Sequence, residues 1–287
     1  MTITGSPTIT PSASTTSLAS TRTSHELTVV PGTRTTRDDL RAVPTVLKSE
    51  WIKLSTVRAN KAILGLTVAI NGFAAWAVAT SVKDEVLTVS KVFVFPALLT
   101  AVLAAVAGIL LFTTEAQHGT LATSLTAQPS RWIVAASKMA VTVGVGLVLG
   151  TAGMASAAAG ALVGGLEIGD TSAAAPTALY ALLFISLSAL IGLGIGMTAR
   201  HSAAAISGLL VWWFVGENLI RAFAPATVSR FLPFDAGYRL LGVGSDFDTP
   251  EILAVALPRP SLAVVFAVYA AVGITMGTVL LYRRDTN

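Results

Sequence analysis

The chain has 287 residues, 53% of them apolar and 12% charged, with a mean hydropathy of +0.74. Soluble domains carry about 25% charged residues, so there are too few charges here to cover a water-exposed globule of this size. The absence of cysteine removes disulfides, thiolate catalysis and Cys-based metal sites. The net charge of +4 comes from basic residues spread along the edges of apolar runs, with no cluster of five or more, which argues against nucleic acid as a partner.

The first 36 residues hold 12 Thr and 6 Ser with few large apolar side chains. Such a segment cannot bury enough apolar area to offset its ordering entropy, so residues 1–43 read as a disordered tail, either dispensable or regulatory and phosphorylated. No apolar stretch before Pro44 has the length of a secretory signal core. Order is expected from Pro44, a residue suited to the first turn of a helix. Leu47, Trp51 and Leu54 then fall at i, i+4 and i+7, with Lys48 and Lys53 off that stripe, although Glu50 and Arg58 narrow it. The pattern predicts an amphipathic helix lying in the membrane interface.

Five long apolar stretches lack Asp, Glu, Lys and Arg: 62–82, 92–114, 139–166, 171–199 and 260–282. Each exceeds the ~20 residues that cross a hydrocarbon core about 30 Å thick. A sixth span is expected over 203–224, where Leu209–Phe214 is strongly apolar despite Glu217 and Arg221. The prediction is an all-α membrane domain over 44–287, with spans near 62–82, 92–113, 138–163, 177–198, 203–224 and 261–282. Counting Lys and Arg on the flanks gives nine on the side of the termini against six on the other, which favours cytoplasmic termini. Glycines recur four apart within the spans, as Gly146/Gly150, Gly160/Gly164, Gly192/Gly196 and Gly273/Gly277, a spacing that lets helix backbones approach closely in lipid.

Catalytic patterns are absent from the sequence. There is no Gly-Lys dipeptide and hence no P-loop, no His-Glu-x-x-His and no Gly-x-Ser-x-Gly. His25, His118 and His201 are scattered between the tail and two loops, which argues against a metal cluster. Two polar features remain. The first is the segment 113–132, with Glu115, Gln117, His118, Gly119, Thr120 and Leu121, then Pro129, Arg131 and Trp132. On composition alone it is either an ordinary polar hairpin or a loop reaching a soluble partner. The second is Glu217 with Arg221. Ionisable groups at that depth cost several kcal/mol unless paired or wetted, and i, i+4 spacing puts both on one helix face. They form either a local ion pair or a polar contact on a translocation path or outer gate. Asn71 in the first span either faces the same cavity or makes an interhelical hydrogen bond.

The segment 113–132 resembles the cytoplasmic coupling segment of type-2 ABC exporter permeases, in which Glu-x-x-x-Gly-Thr is followed by Leu and then Pro-x-Arg. Glu115, Gly119, Thr120, Leu121, Pro129 and Arg131 fall on that pattern, while His118 departs from it. Glu50, Trp51, Lys53 and Leu54 lie in a stretch similar to the interfacial elbow helix of actinobacterial members, and Phe231-Leu232-Pro233-Phe234 to a Leu-Pro-Phe that follows their fifth span. The similarity covers roughly 46–284. It implies an ATPase-coupling interface at Glu115–Arg131, including His118, where a bulky residue at Gly119 would obstruct close packing. It also implies a re-entrant extracellular segment over 225–258, with Phe231 and Phe234 beside the exit path.

On this resemblance the chain is expected to be a multi-pass permease subunit in the plasma membrane, pairing with a second copy or a sister permease. Two soluble ATPase subunits would bind ATP and Mg, no cofactor being held by this chain. The cargo would be an amphipathic or apolar drug, peptide, lipid or glycan. The alternatives are an ion-coupled secondary transporter, for which Glu217 is the nearest buried ionisable group, and a non-catalytic membrane scaffold.

Overall fold

The computed structural model describes residues 36–56, 58–81, 89–120, 131–166, 172, 174–242 and 250–284. Among them every regular element is helical: α1 (Thr36–Thr56), α2 (Arg58–Ser81), α3 (Val89–Gln117), α4 (Arg131–Val163), α5 (Ala174–Ala199), α6 (Ser202–Val211), a π-helical turn (Trp212–Gly216), α7 (Glu217–Phe223), α8 (Ala226–Ser229), α9 (Pro233–Leu240), α10 (Pro250–Ala254) and α11 (Arg259–Arg284). Among the described residues, six segments are long and apolar enough to cross a membrane: Arg58–Ser81, Pro96–Gln117, Trp132–Val163, Ala174–Ala199, Ser202–Phe223 and Arg259–Arg283. The chain is a multi-pass transmembrane protein, and the spans sit within a few residues of where the apolar runs place them.

The predicted start of order is corrected. The tail to residue 35 lies outside the described residues, but α1 opens at Thr36, eight residues before Pro44, and Pro44 lies inside it. Proline tolerates a helix interior at the loss of one backbone hydrogen bond, here the bond to the carbonyl of Leu40. The Thr-rich composition that marks the tail therefore stops short of Arg37-Asp38-Asp39-Leu40.

The spans alternate in direction, and α5 is the axis around which they pack. It lies against α3, α4, α6 and α11, while α2 lies on the outer side of α4. Phe184, Ile185, Ala189 and Leu193 of α5 and Ala101, Ala104, Ala105, Ile109 and Phe112 of α3 are fully buried. Each of the four predicted glycine pairs meets a neighbouring helix. Gly146 and Gly150 face Ser186 and Leu182 of α5, Gly160 and Gly164 face Gly72 and Ala79 of α2, and Gly277 faces Met197. The closest approach joins α3 and α5, where a Cβ on Gly192 would overlap the backbone carbonyl of Ala105 and one on Gly108 that of Ala189. Contact this close gives the dispersion attraction that replaces the hydrophobic drive between helices in lipid.

α1, the end of α3, the start of α4 and the α5–α6 turn consequently share one end of the bundle. α8 and α9 lie at the other. There α9 packs on α11 and α5, and Gly237 of α9 rests against the ring of Phe184, ten residues, or about 15 Å, along α5.

Gly192→Ala must push α3 off α5 and is expected to cost at least about 3 kcal/mol. Gly65→Ala in α2, where nothing lies within 4 Å, should instead stabilise the chain by up to about 1 kcal/mol through helix propensity. Thermal unfolding of the two variants in the same detergent checks both. Equal melting temperatures would show that α3 and α5 do not pack as described.

Candidate functional site

At the α1 end, four charged side chains from three helices close a ring. Lys138 of α4 is 1% exposed at its side chain, an expensive position for an ammonium unless carboxylates surround it. Two do. Its Nζ lies 3.1 Å from Glu50 Oε2 of α1 and 2.8 Å from Glu115 Oε2 of α3. The first contact is a hydrogen bond; the second is an ion pair without hydrogen-bond alignment. Lys53 of α1 completes the ring at 2.8 Å from Glu50 Oε1 and 3.3 Å from Glu115 Oε1. Two positive and two negative charges leave it neutral.

The ring explains why α1 does not present the face its sequence suggests. Leu47 packs against the core as expected, but Glu50 is buried while Trp51 is half exposed. The side chain of Leu54 lies outside the described residues. Burial pushes Glu50 upward, yet Lys138 and Lys53 outweigh it and hold the carboxyl below its ordinary 4.5. Burial pushes Lys53 downward, and the hydrogen bond and charge of Glu50 with the charge of Glu115 more than reverse this, raising it above 10.5. The stabilisation from Glu50 is complete above pH 4.5 and lost as pH falls through its depressed value. That from Lys53 is complete below pH 10.5 and lost as pH rises through its raised value. α1 is thus held to the bundle across the whole physiological range.

Past Glu115, the chain turns out into solvent. His118 and Thr120 are exposed, the His118 ring meeting the Thr114 carbonyl at 2.7 Å and the Thr120 hydroxyl donating to the Glu115 carbonyl at 3.4 Å. Gly119 has open space around it and a φ of +72°. Within this chain a side chain there is opposed by backbone conformation. Leu121 and Pro129 lie outside the described residues, and Arg131 opens α4. Ser202 at the start of α6 donates to Gln117 Oε1 at 3.1 Å, tying the segment to the fifth span as well.

At the other end, Glu217 is 2% exposed. Across the fold, Glu217 meets Phe234 and Asp235 of α9, and Arg221 meets Asp235. Glu217 Oε1 and Oε2 each accept a backbone N–H, from Phe234 and Asp235, both at 2.9 Å. These are donors of the first turn of α9, whose N-cap residue is Leu232 with Pro233 following, a sequence with no side chain able to cap. Glu217 supplies the missing acceptors and places a negative charge at the positive end of the helix dipole. The π-helical turn immediately before Glu217 inserts an extra residue into the span, which re-aims the residue that follows. Asp235 in turn pairs with Arg239 at 2.9 Å and Arg221 at 3.3 Å.

Beneath this cap the Trp213 and Phe234 rings stack at 3.6 Å, and Phe184 and Phe266 close the cluster. Phe234 is therefore core, whereas Phe231 is exposed with the Arg230 guanidinium 4.7 Å above its ring. Asn71 is fully buried and donates to Thr100 Oγ1 of α3 at 2.9 Å and to the Thr67 carbonyl. No group of three or more potential metal ligands occurs among the described residues. Lys138 and the joining of Glu50 to Glu115 are what sequence reasoning missed. The available signal was a lysine eight residues into a long apolar helix, which demands acidic partners.

Compared with models of known protein families and with curated proteins, the sequence matches none.

Glu217→Gln keeps one acceptor and loses the charge, and is expected to lower stability by about 1.5–3 kcal/mol. Arg221→Gln should cost less than about 1 kcal/mol, because Asp235 retains Arg239. Melting of each variant in detergent measures both. An Arg221→Gln loss equal to that of Glu217→Gln would mean that the cap is not the dominant contact.

Proposed function

We propose that the chain is the membrane-spanning subunit of an ATP-driven exporter of the type-2 ABC class, working as a dimer with a second copy or a sister permease above two separate ATPase subunits. The observation that carries this reading is the four-charge ring. It joins α1, the helix that resembles the elbow, to Glu115, the first residue of the stretch that resembles the coupling segment, and to α4, which follows that stretch. Force applied to the exposed His118–Thr120 turn by a soluble partner on the cytoplasmic side would reach three helices through ion pairs. ATP and Mg would act on that partner. The cargo would be amphipathic or apolar, since the bundle surfaces between spans are apolar.

At the opposite end, α8 and α9 form the part of the segment 225–258 read as re-entrant. The cap from Glu217 holds it against the fifth and sixth spans, where it would close the exit path. The ion-coupled alternative relies on Glu217 as a proton or ion carrier, and both of its oxygens are already engaged by backbone N–H groups. That favours the structural role.

The test is association with the ATPase expressed alongside this chain. His118→Glu changes an exposed side chain whose recorded contact is with a backbone carbonyl, so insertion and melting should match wild type. ATPase retained on the membrane subunit should fall about tenfold, as expected for a contact residue near the centre of an interface, and cargo-stimulated ATP hydrolysis should fall with it. Unchanged retention and stimulation would overturn the coupling assignment. Glu115→Lys is a poorer test, because it also sets three lysines against Glu50.

A further inference from the structure

Beside the charge ring, α1, the first turns of α2 and the middle of α4 enclose a groove of about 300 Å³. Its composition changes along its length. The rim carries Ser55, Asn60 and Lys61, and the deeper walls are Leu64, Val145, Val148 and Leu149. Lys61 lies in the first turn of α2 and Leu64 in the next, while Val145 and Leu149 lie seven and eleven residues beyond Lys138 on α4, about 10–16 Å further along the bundle. The half-exposed Trp51 stands at the rim, its ring 3.4 Å from where a Cβ on Gly144 would lie. An indole in that position is typical of the boundary between headgroups and chains.

The charges around the rim have one sign. Lys61, Arg58 one turn before it and Lys48 one turn before Trp51 are exposed or nearly so. None of the three is ion-paired to a described residue, and no acidic side chain lines the groove. A basic rim above an apolar slot between α1 and two spans matches an anionic lipid in charge and in polarity gradient. We propose that the groove holds an anionic glycerophospholipid from the leaflet on the α1 side, its phosphate at Lys61 and an acyl chain along Leu64, Val145 and Val148. The lipid fills the angle between α1 and the spans, and the proposal is independent of the transport reading.

The test uses the full chain purified in mild detergent, with phosphatidylglycerol and phosphatidylcholine of identical chains added in equal amounts and bound lipid counted by native mass spectrometry. Phosphatidylglycerol should dominate the first lipid bound. Lys61→Gln should weaken that binding about fivefold, the worth of one basic residue at an anionic surface. Val145→Trp, which fills the slot, should remove the first site for both lipids. Equal loading of the two lipids on wild type, or phosphatidylglycerol binding unchanged by Lys61→Gln, would overturn the proposal. A second reading needs no altered groove wall. Phosphatidylglycerol brominated on its acyl chains should quench a component of the tryptophan fluorescence that disappears in Trp51→Phe. Quenching identical in wild type and Trp51→Phe would place the lipid elsewhere.

Discussion

A lysine ammonium buried at the end of a membrane span is the constraint around which one end of this protein is organised. Lys138 cannot stay desolvated and charged without carboxylates, and its own helix provides none within reach. Glu50 and Glu115 come from elements 88 and 23 residues away in sequence. Removing one member of a buried pair costs about 3–5 kcal/mol, because the survivor is left uncompensated. α1, which does not span, is therefore fixed to the bundle by charge as much as by apolar packing. Lys53 neutralises the second carboxylate, so the ring has no net charge to repel a neighbour or to concentrate counterions.

The far end follows the same logic with a different partner. There the buried carboxylate of Glu217 meets a helix N-terminus, and again an element that does not span is held to elements that do. In both places a lone charge that looks costly from the sequence is balanced by groups brought from elsewhere in the chain. The aromatic stack of Trp213 on Phe234 and the contact of Gly237 with Phe184 then set how deeply α9 enters. Between the two ends, glycine-lined contacts hold α5 at close backbone approach to α3 and α11.

The spans were legible because composition alone decides them: an uncharged run of more than 20 residues has few alternatives. The glycine pairs were legible for a related reason, since spacing by four puts both on one face whatever the partner helix. Partners across the fold were not. Glu217 and Arg221 look like an i, i+4 pair, yet Glu217 meets Phe234 and Asp235 and Arg221 meets Asp235, contacts between residues 14 to 18 apart that no local pattern encodes. Glu50 looked like an interruption of an apolar stripe and is instead its most consequential member. Pro44 looked like a helix start, and the helix extends eight residues before it, because one missing N–H does not end a helix whose flanking residues favour it.

Lys138 and its two carboxylates hold α1 against the bundle. With no native cysteine in the chain, Trp51→Cys and Gly144→Cys can be introduced directly and bridged with a short bifunctional maleimide, so that the cross-linked fraction at pH 7 reports α1 docking on α4. High yield is expected with Lys138 present, at least a tenfold slower reaction with Lys138→Gln, and recovery when Glu50→Gln and Glu115→Gln are added to remove the stranded charges. A rate that Lys138→Gln leaves unchanged would contradict the account.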